Sequence, residues 1–297
     1  MNRREFLRLL VVSATAGLVP GWLSGEPFDV YLTFDDGPFS SKDSHDGATE
    51  QALDILQKLS VRATFFLHGR HILPWHGPVM ARYINEGHAV GNHLWTQGSN
   101  LVKDHPPMTQ LALQFLLTEA KIREVMRKGD ESAYQKYLQQ PRLFRRPGGK
   151  NSVNDFLVMT HYSELQHEVG LRAVESDLSW LKRVYDYSGW HVNGGEAIPL
   201  KIRPFTPTQR LKFVLYGNNG YYGLMNFLYA GTPPRRSVEA KQGLIVLMHE
   251  IDPDTRGMLP DLVSILTDLG AEFRSLPRPG DKPNSTTVGI SHGPTMK

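Results

Sequence analysis

Cysteine is absent from all 297 residues, so no disulfide, thiolate nucleophile or Cys-bound metal is available, and the redox state of the compartment does not matter to the chain. A long apolar run is missing as well. The main apolar stretch, Leu9 to Leu23, is interrupted by Pro20 and falls short of the roughly 20 residues that a membrane span needs. Nor does charge of one sign dominate: 33 Lys and Arg stand against 30 Asp and Glu, a formal +3. Without a long basic run or an RNA-binding pattern, nothing points to nucleic acid as a partner. Arg3, Arg4, Arg8 and Glu5 lie in the first 25 residues, so the rest of the chain is close to neutral.

Those first 25 residues pair a basic start with a short apolar core, the pattern of an export signal. Arg3-Arg4 followed by Glu5-Phe6-Leu7 resembles a twin-arginine signal. The expected location is therefore exported and periplasmic. Residues 1–25 are read as a cleaved signal or a retained anchor, the latter being the only contact with a membrane that the sequence suggests.

From residue 26 strand-like and helix-like segments alternate. Val30, Leu32 and Phe34 fit a strand, and Thr49 is placed to cap a helix carrying Ala52, Leu53, Leu56 and Leu59. Strands are read at 62–69, 88–92, 142–144, 171–174 and 244–248. Helices are read at 108–127 and 153–168, with a last one opened by Pro260 and followed by a final strand, "AEF". This rhythm predicts an α/β fold: a distorted (β/α) barrel of about seven parallel strands spanning 26–276. Residues 181–241 interrupt it as an aromatic-rich insertion. Ten of the 29 aromatic residues fall within 185–229, among them Tyr185, Tyr187, Trp190, Tyr216, Tyr221 and Tyr222. They suit either sugar stacking or a small core of the insertion itself, and the core is the more economical reading. The polar tail 277–297, rich in Gly and Pro, is read as disordered.

Polar residues cluster where strands end. Asp35 and Asp36 follow Phe34, His93 follows Asn92, and Arg145 follows Phe144. Asp177 lies just after Val174, and His249 follows Met248. In parallel barrels the C-terminal strand ends share one face, where active sites are built. Each residue alone has an ordinary explanation, since Asp-Gly-Pro is good turn chemistry and a lone His or Arg after a strand is commonplace. Five strand ends converging are harder to explain away.

The segments "TFDDGP" (33–38), "GNH" (91–93), "RRPGG" (145–149) and "LMH" (247–249) resemble, in order, the motifs of the polysaccharide deacetylases of carbohydrate esterase family four. "ALDILQKLSVRATFFLHG" and "EGHAVGNH" agree with that likeness. The resemblance implies hydrolysis of N-acetyl groups on peptidoglycan or chitin-like glycans, helped by a divalent metal, with zinc the expected ion. It gives Asp36 and His93 to the metal and makes Asp35 the general base. Arg145 holds Asp35, and the Gly148 N–H helps bind the oxyanion. His249 protonates the leaving amine, as an imidazole titrating near neutrality can. Leu247 and Trp180 wall the slot for the acetyl methyl group. The implied partner is an N-acetylated polysaccharide.

Two positions depart from that pattern. The family's second metal-binding His, four residues after the first, is Gln97 here, and an amide oxygen suits zinc less than imidazole does. Gln97, His68 and His105 are all open as the third ligand, whereas His88 is too far along its strand, roughly 16 Å from His93. Ser179 stands before Trp180 where the family has an Asp that orients the catalytic His, and Asp177 is the candidate for that task. The competing reading is a glycan-binding protein with the same fold and little or no catalysis. A glycosidase is disfavoured, because adjacent carboxylates cannot straddle a bond across about 5–9 Å.

Overall fold

The computed structural model describes residues 27–43, 45–95, 108–147, 183–187, 190–191, 243–268 and 270–283. The elements run in the order β1 (Phe28–Asp35), α1 (Ala48–Leu59), β2 (Ala63–Leu67), α2 (Gly77–Asn85), β3 (Ala89–Asn92), α3 (Met108–Gly129), α4 (Glu131–Gln139), β4 (Arg142–Phe144), β5 (Val184–Asp186), β6 (Trp190–His191), β7 (Leu244–His249), α5 (Pro253–Asp268) and β8 (Ala271–Phe273). The strands form one sheet in the order β5-β4-β3-β2-β1-β7-β6, and β8 pairs with the start of β1. Every recorded pairing is parallel. This is the curved parallel sheet with covering helices that the alternating pattern predicts, with eight strands among the described residues. No helix among them is long and apolar enough to cross a membrane.

Side chains alternate across each strand. Val30, Leu32 and Phe34 of β1 join Phe65, Leu67, Val246 and Met248 against Leu53, Leu56, Met80, Ile122 and Leu259 of the helices. The intervening residues Tyr31, Phe66, Ala89, Leu143 and Ile245 form a second cluster on the opposite face, closed by Tyr187 and Leu276. Both faces are buried, as a parallel sheet requires. The register of that second face continues into the strand ends.

Several expectations change. Thr49 does not cap α1: Gly47, in the left-handed region, precedes the helix, and the Thr49 hydroxyl instead accepts the Phe39 N–H at 2.8 Å. The last helix begins at Pro253, seven residues before Pro260, which lies inside it. Pro260 is exposed, so the loss of one helical hydrogen bond falls on the solvent side. Within 181–241, β5 pairs with β4 and β6 with β7, so these pieces belong to the sheet. Tyr187 is fully buried and donates to Asp281 at 2.7 Å, which makes it core and not a sugar platform. In the stretch 277–283 Arg278 is buried against Asp281, and the Leu276 N–H just before it bonds Thr64. The polar composition of that stretch hid its role as a plug against the second face. The strand expected at 171–174, the helix at 153–168, and Tyr216, Tyr221 and Tyr222 lie outside the described residues.

Candidate active site

The second face of the sheet ends in a ring of polar groups. Counting by twos from its buried residues, Tyr31 leads to Thr33 and Asp35, Phe66 to His68, Ala89 to His93, Leu143 to Arg145, and Ile245 to Leu247 and His249. The strand ladder carries on past the strands proper. His68 N–H bonds the Gly37 carbonyl, His93 N–H bonds Leu67, and Arg145 N–H bonds Asn92, at 2.9–3.0 Å. Asp35 and His249 are register partners. The period of two therefore delivers Asp35, His68, His93, Arg145 and His249 to one rim.

Asp36 would fall on the helix side if the alternation continued. It does not, because its φ of 76° is left-handed, a region that Asp tolerates better than most residues. His71 Nδ1 donates to the Asp36 carbonyl at 2.7 Å and supports this turn. Both neighbouring carboxylates thus reach one site.

Their surroundings differ. Asp35 is 2% exposed and accepts from Arg145 Nη1 at 2.8 Å, while the same nitrogen donates to Thr33 at 2.7 Å. Thr33 in turn donates to the Val246 carbonyl, and the guanidinium lies over the Phe66 ring. Burial alone pushes the Asp35 carboxyl up. The attraction of Arg145, then His93 and His249, outweighs it and holds the group below the usual carboxylate range. Asp36 instead faces two imidazoles, His93 Nε2 at 3.5 Å and His249 Nε2 at 3.7 Å, beyond ordinary hydrogen-bond length.

His93 Nδ1 lies 2.7 Å from the Arg145 carbonyl. A carbonyl only accepts, so Nδ1 donates, and in the neutral ring Nε2 carries a lone pair aimed at Asp36 and at Asp35, 3.6 Å away. This is the orientation that a metal-binding His takes. Asp36 and His93 therefore fit a divalent cation. Among the described residues no three His, Asp or Glu form a ready cage. His68 is buried, and neither of its ring nitrogens has a hydrogen bond among the described residues. Burial, then His71, His93 and Arg70, push its imidazole down to about 3, which keeps it neutral and able to ligate. His88 Nδ1 accepts the Ala63 N–H at 3.1 Å, while its Nε2 has no hydrogen bond among the described residues and lies 3.9 Å from Glu86, so it is a core residue set away from the rim.

Gln97, His105, Gly148, Asp177, Ser179 and Trp180 lie outside the described residues, as does the side chain of Trp190. Leu247 is buried two residues before His249, level with Thr33. Asp186 ends β5, level with Phe144; it alternates with Tyr185 and Tyr187 of the second face and so falls on the other side of the sheet. One residue near the site has no place in the motifs. Glu250 is fully buried behind the Asp35-Asp36-Gly37 turn, and burial, above all, pushes its carboxyl up to about 8.

Residues 24–169 match the family described as polysaccharide deacetylase. The chain is 25% identical over 254 residues to an uncharacterised 30.6 kDa protein of Geobacillus stearothermophilus, covering 84% of this chain and 69% of that one. It is 25% identical over 244 residues to a peptidoglycan-N-acetylglucosamine deacetylase of Listeria monocytogenes, covering 82% of this chain but 37% of that protein. A chitooligosaccharide deacetylase of Rhizobium leguminosarum is 35% identical over 108 residues, 34% of this chain and 43% of its own length. The chain thus spans less than half the length of these last two relatives. Among solved structures, a Streptococcus mutans CE4 esterase aligns with a TM-score of 0.51 at 24% identity, covering 84% of this chain and 86% of that one. A family 4 acetyl xylan esterase of Clostridium thermocellum, in complex with cobalt, aligns at 0.50 and 22% identity, covering 83% and 87%. These two alignments establish the shared fold.

Proposed function

Since the chain belongs, through residues 24–169, to the polysaccharide deacetylase family, we propose that it hydrolyses N-acetyl groups on cell-wall or other exported glycans, with peptidoglycan or chitin-like oligosaccharides as substrate. The observation that carries this reading is the buried Arg145–Asp35 pair beside Asp36, His93 and His249. A base kept ionised by a buried guanidinium has no use in a protein that only binds sugar.

Asp36 and His93 would hold the divalent cation, zinc first among candidates, with Gln97 or His68 as third ligand. Bound there, such an ion supplies Lewis-acid polarisation of the acetyl carbonyl and makes water a stronger acid. Asp35, fixed by Arg145 and Thr33, takes a proton from the attacking water. His249, more exposed than its neighbours at 24% of its side chain, gives a proton to the departing amine. The Gly148 N–H steadies the oxyanion, and Leu247 with Trp180 lines the acetyl slot. Asp177 orients His249. The resemblance of Arg3-Arg4 and Glu5-Phe6-Leu7 to a twin-arginine signal supports export of the folded protein to the periplasm.

The test is acetate release from peptidoglycan and from chitooligosaccharides by purified protein, with divalent metal measured in the same sample. Binding of these glycans without acetate release, at any added metal, would favour the glycan-binding alternative and sink this reading.

A further inference from the structure

Glu250 follows His249 directly, is fully buried, and has no part in the reaction proposed above. Its Oε1 accepts the Thr49 hydroxyl at 3.2 Å. The same hydroxyl accepts the Phe39 N–H, and the Thr49 N–H bonds the Phe39 carbonyl at 3.0 Å. Against this brace lies Gly37. A Cβ added at Gly37 would stand 2.0 Å from Glu250 Oε1 and 3.3 Å from the Tyr83 hydroxyl. Gly37 is not among the residues with a left-handed backbone. Glycine is therefore required there by the close approach of the Glu250 carboxyl and not by backbone conformation.

The end of β7 thus does two things at once. His249 faces the site, while the next side chain reaches beneath the turn that carries Asp35 and Asp36. We infer that Glu250 is a positioning residue, whose carboxyl packs on Gly37 and, through Thr49, sets where the paired aspartates stand relative to His249. Arg256 secures the other side of this corner by donating to the Glu250 and Ile251 carbonyls. Loss of the carboxyl frees the turn to settle into the space left behind. Loss of the carboxyl's charge alone does not, because an amide oxygen can accept the Thr49 hydroxyl and occupy the same volume.

The inference rests on the deacetylase reading, and its test separates the two. Acetate release and thermal melting are measured for the wild type, Glu250→Ala, Glu250→Gln, Gly37→Ala and the double variant Gly37→Ala/Glu250→Ala. Glu250→Ala is expected to lower kcat roughly 10- to 100-fold, the scale on which misplacement of about 1 Å acts, with KM little changed. Glu250→Gln should recover most of that loss. Gly37→Ala should be damaging alone but add little to Glu250→Ala, because the methyl takes the vacated volume and the two effects are not independent. A Glu250→Ala variant with wild-type kcat overturns the inference, as does a Glu250→Gln as impaired as Glu250→Ala, or independent effects at 37 and 250. Should Glu250→Ala fail to fold, Glu250→Asp, which withdraws the carboxyl by one methylene, replaces it in the same cycle. If the wild type releases no acetate, the functional reading fails by itself. The cycle read in melting temperature then still decides whether the two positions are coupled, and independence there also overturns the inference.

Discussion

Asp35 and Asp36 are neighbours in the chain and opposites in their surroundings. Asp35 is enclosed, paired to Arg145 at 2.8 Å and part of a relay that runs through Thr33 to the backbone of β7. Asp36 has 18% of its side chain exposed and meets His93 and His249 across gaps of 3.5 and 3.7 Å. Asp35 thus belongs to an enclosed half of the site and Asp36 to a more open one. The contrast teaches that one left-handed residue gives two adjacent carboxylates entirely different surroundings.

The sharpest way to break that comparison is at the enclosed half. Asp35→Asn keeps the shape of the side chain but removes the base. Acetate release should fall by roughly 10² or more, the scale of lost general-base catalysis, with bound metal unchanged. Wild-type rates in this variant would show that the enclosure of Asp35 serves stability alone.

Arg145→Met tests the enclosure itself. It leaves the Asp35 carboxylate buried without its main partner, a situation that costs about 3–5 kcal/mol. Asp35 has its carboxyl held below the value of 3.8 that it takes when free. Its contribution to stability is therefore present above about pH 4 and is lost as pH falls through the lower, folded value. In Arg145→Met the carboxyl should rise, so the acid limb of the rate profile moves to higher pH and acid unfolding begins earlier. Titrating activity and thermal melting across pH checks both. An unmoved acid limb would mean that Arg145 does not set the state of Asp35.

The enclosed half was legible in the sequence, together with His249. Asp35, Arg145 and His249 stand at strand ends whose apolar runs are plain in the sequence, and period-two counting puts them on one face. That Asp36 joins them depends on a left-handed φ, which two adjacent Asp before Gly-Pro hint at but do not dictate. β5 was obscured because three residues, "VYD", inside an aromatic-rich stretch carry too little pattern to outweigh their context. Residues 277–283 read as tail for the same reason: their order comes from Tyr187 and Asp281, 94 positions apart, and pairings of that range leave no local mark. Glu250 reads only as a second polar residue after β7, and only the three-dimensional closeness of Gly37 and Thr49 explains its burial.

The more open half is tested through metal content. If Gln97 stands at the third ligand position, purified wild type should hold less than one divalent ion per chain, and Gln97→His should raise zinc affinity by at least about tenfold, or about 1.4 kcal/mol. If His68 supplies that ligand instead, His68→Ala should lose zinc while Gln97→Ala keeps it. Competition with a chelator, read as zinc retained per chain, distinguishes the two. Retention by both variants would assign the third ligand to another residue, with His105 next to be changed.

The last expected effect is on stability alone and concerns the corner behind the site. Burial, more than the nearby Asp36 and Asp35, pushes the Glu250 carboxyl from 4.5 up to about 8. Between these values the unfolded chain has released this proton while the folded one keeps it. The folded state then binds more protons, so this group makes stability fall as pH rises from about 4.5 to 8, by up to about 1.4 kcal/mol per pH unit, with no further change above that window. Glu250→Gln cannot titrate. Its stability should therefore exceed that of the wild type increasingly toward pH 8 and match it most closely near pH 4.5, provided the amide takes the Thr49 hydrogen bond. Urea unfolding of both proteins at pH 4.5, 6 and 8 measures the difference directly. Parallel stability curves would mean that Glu250 is already ionised in the folded protein, and that the region behind the Asp35-Asp36 turn is as polar as the rim in front of it.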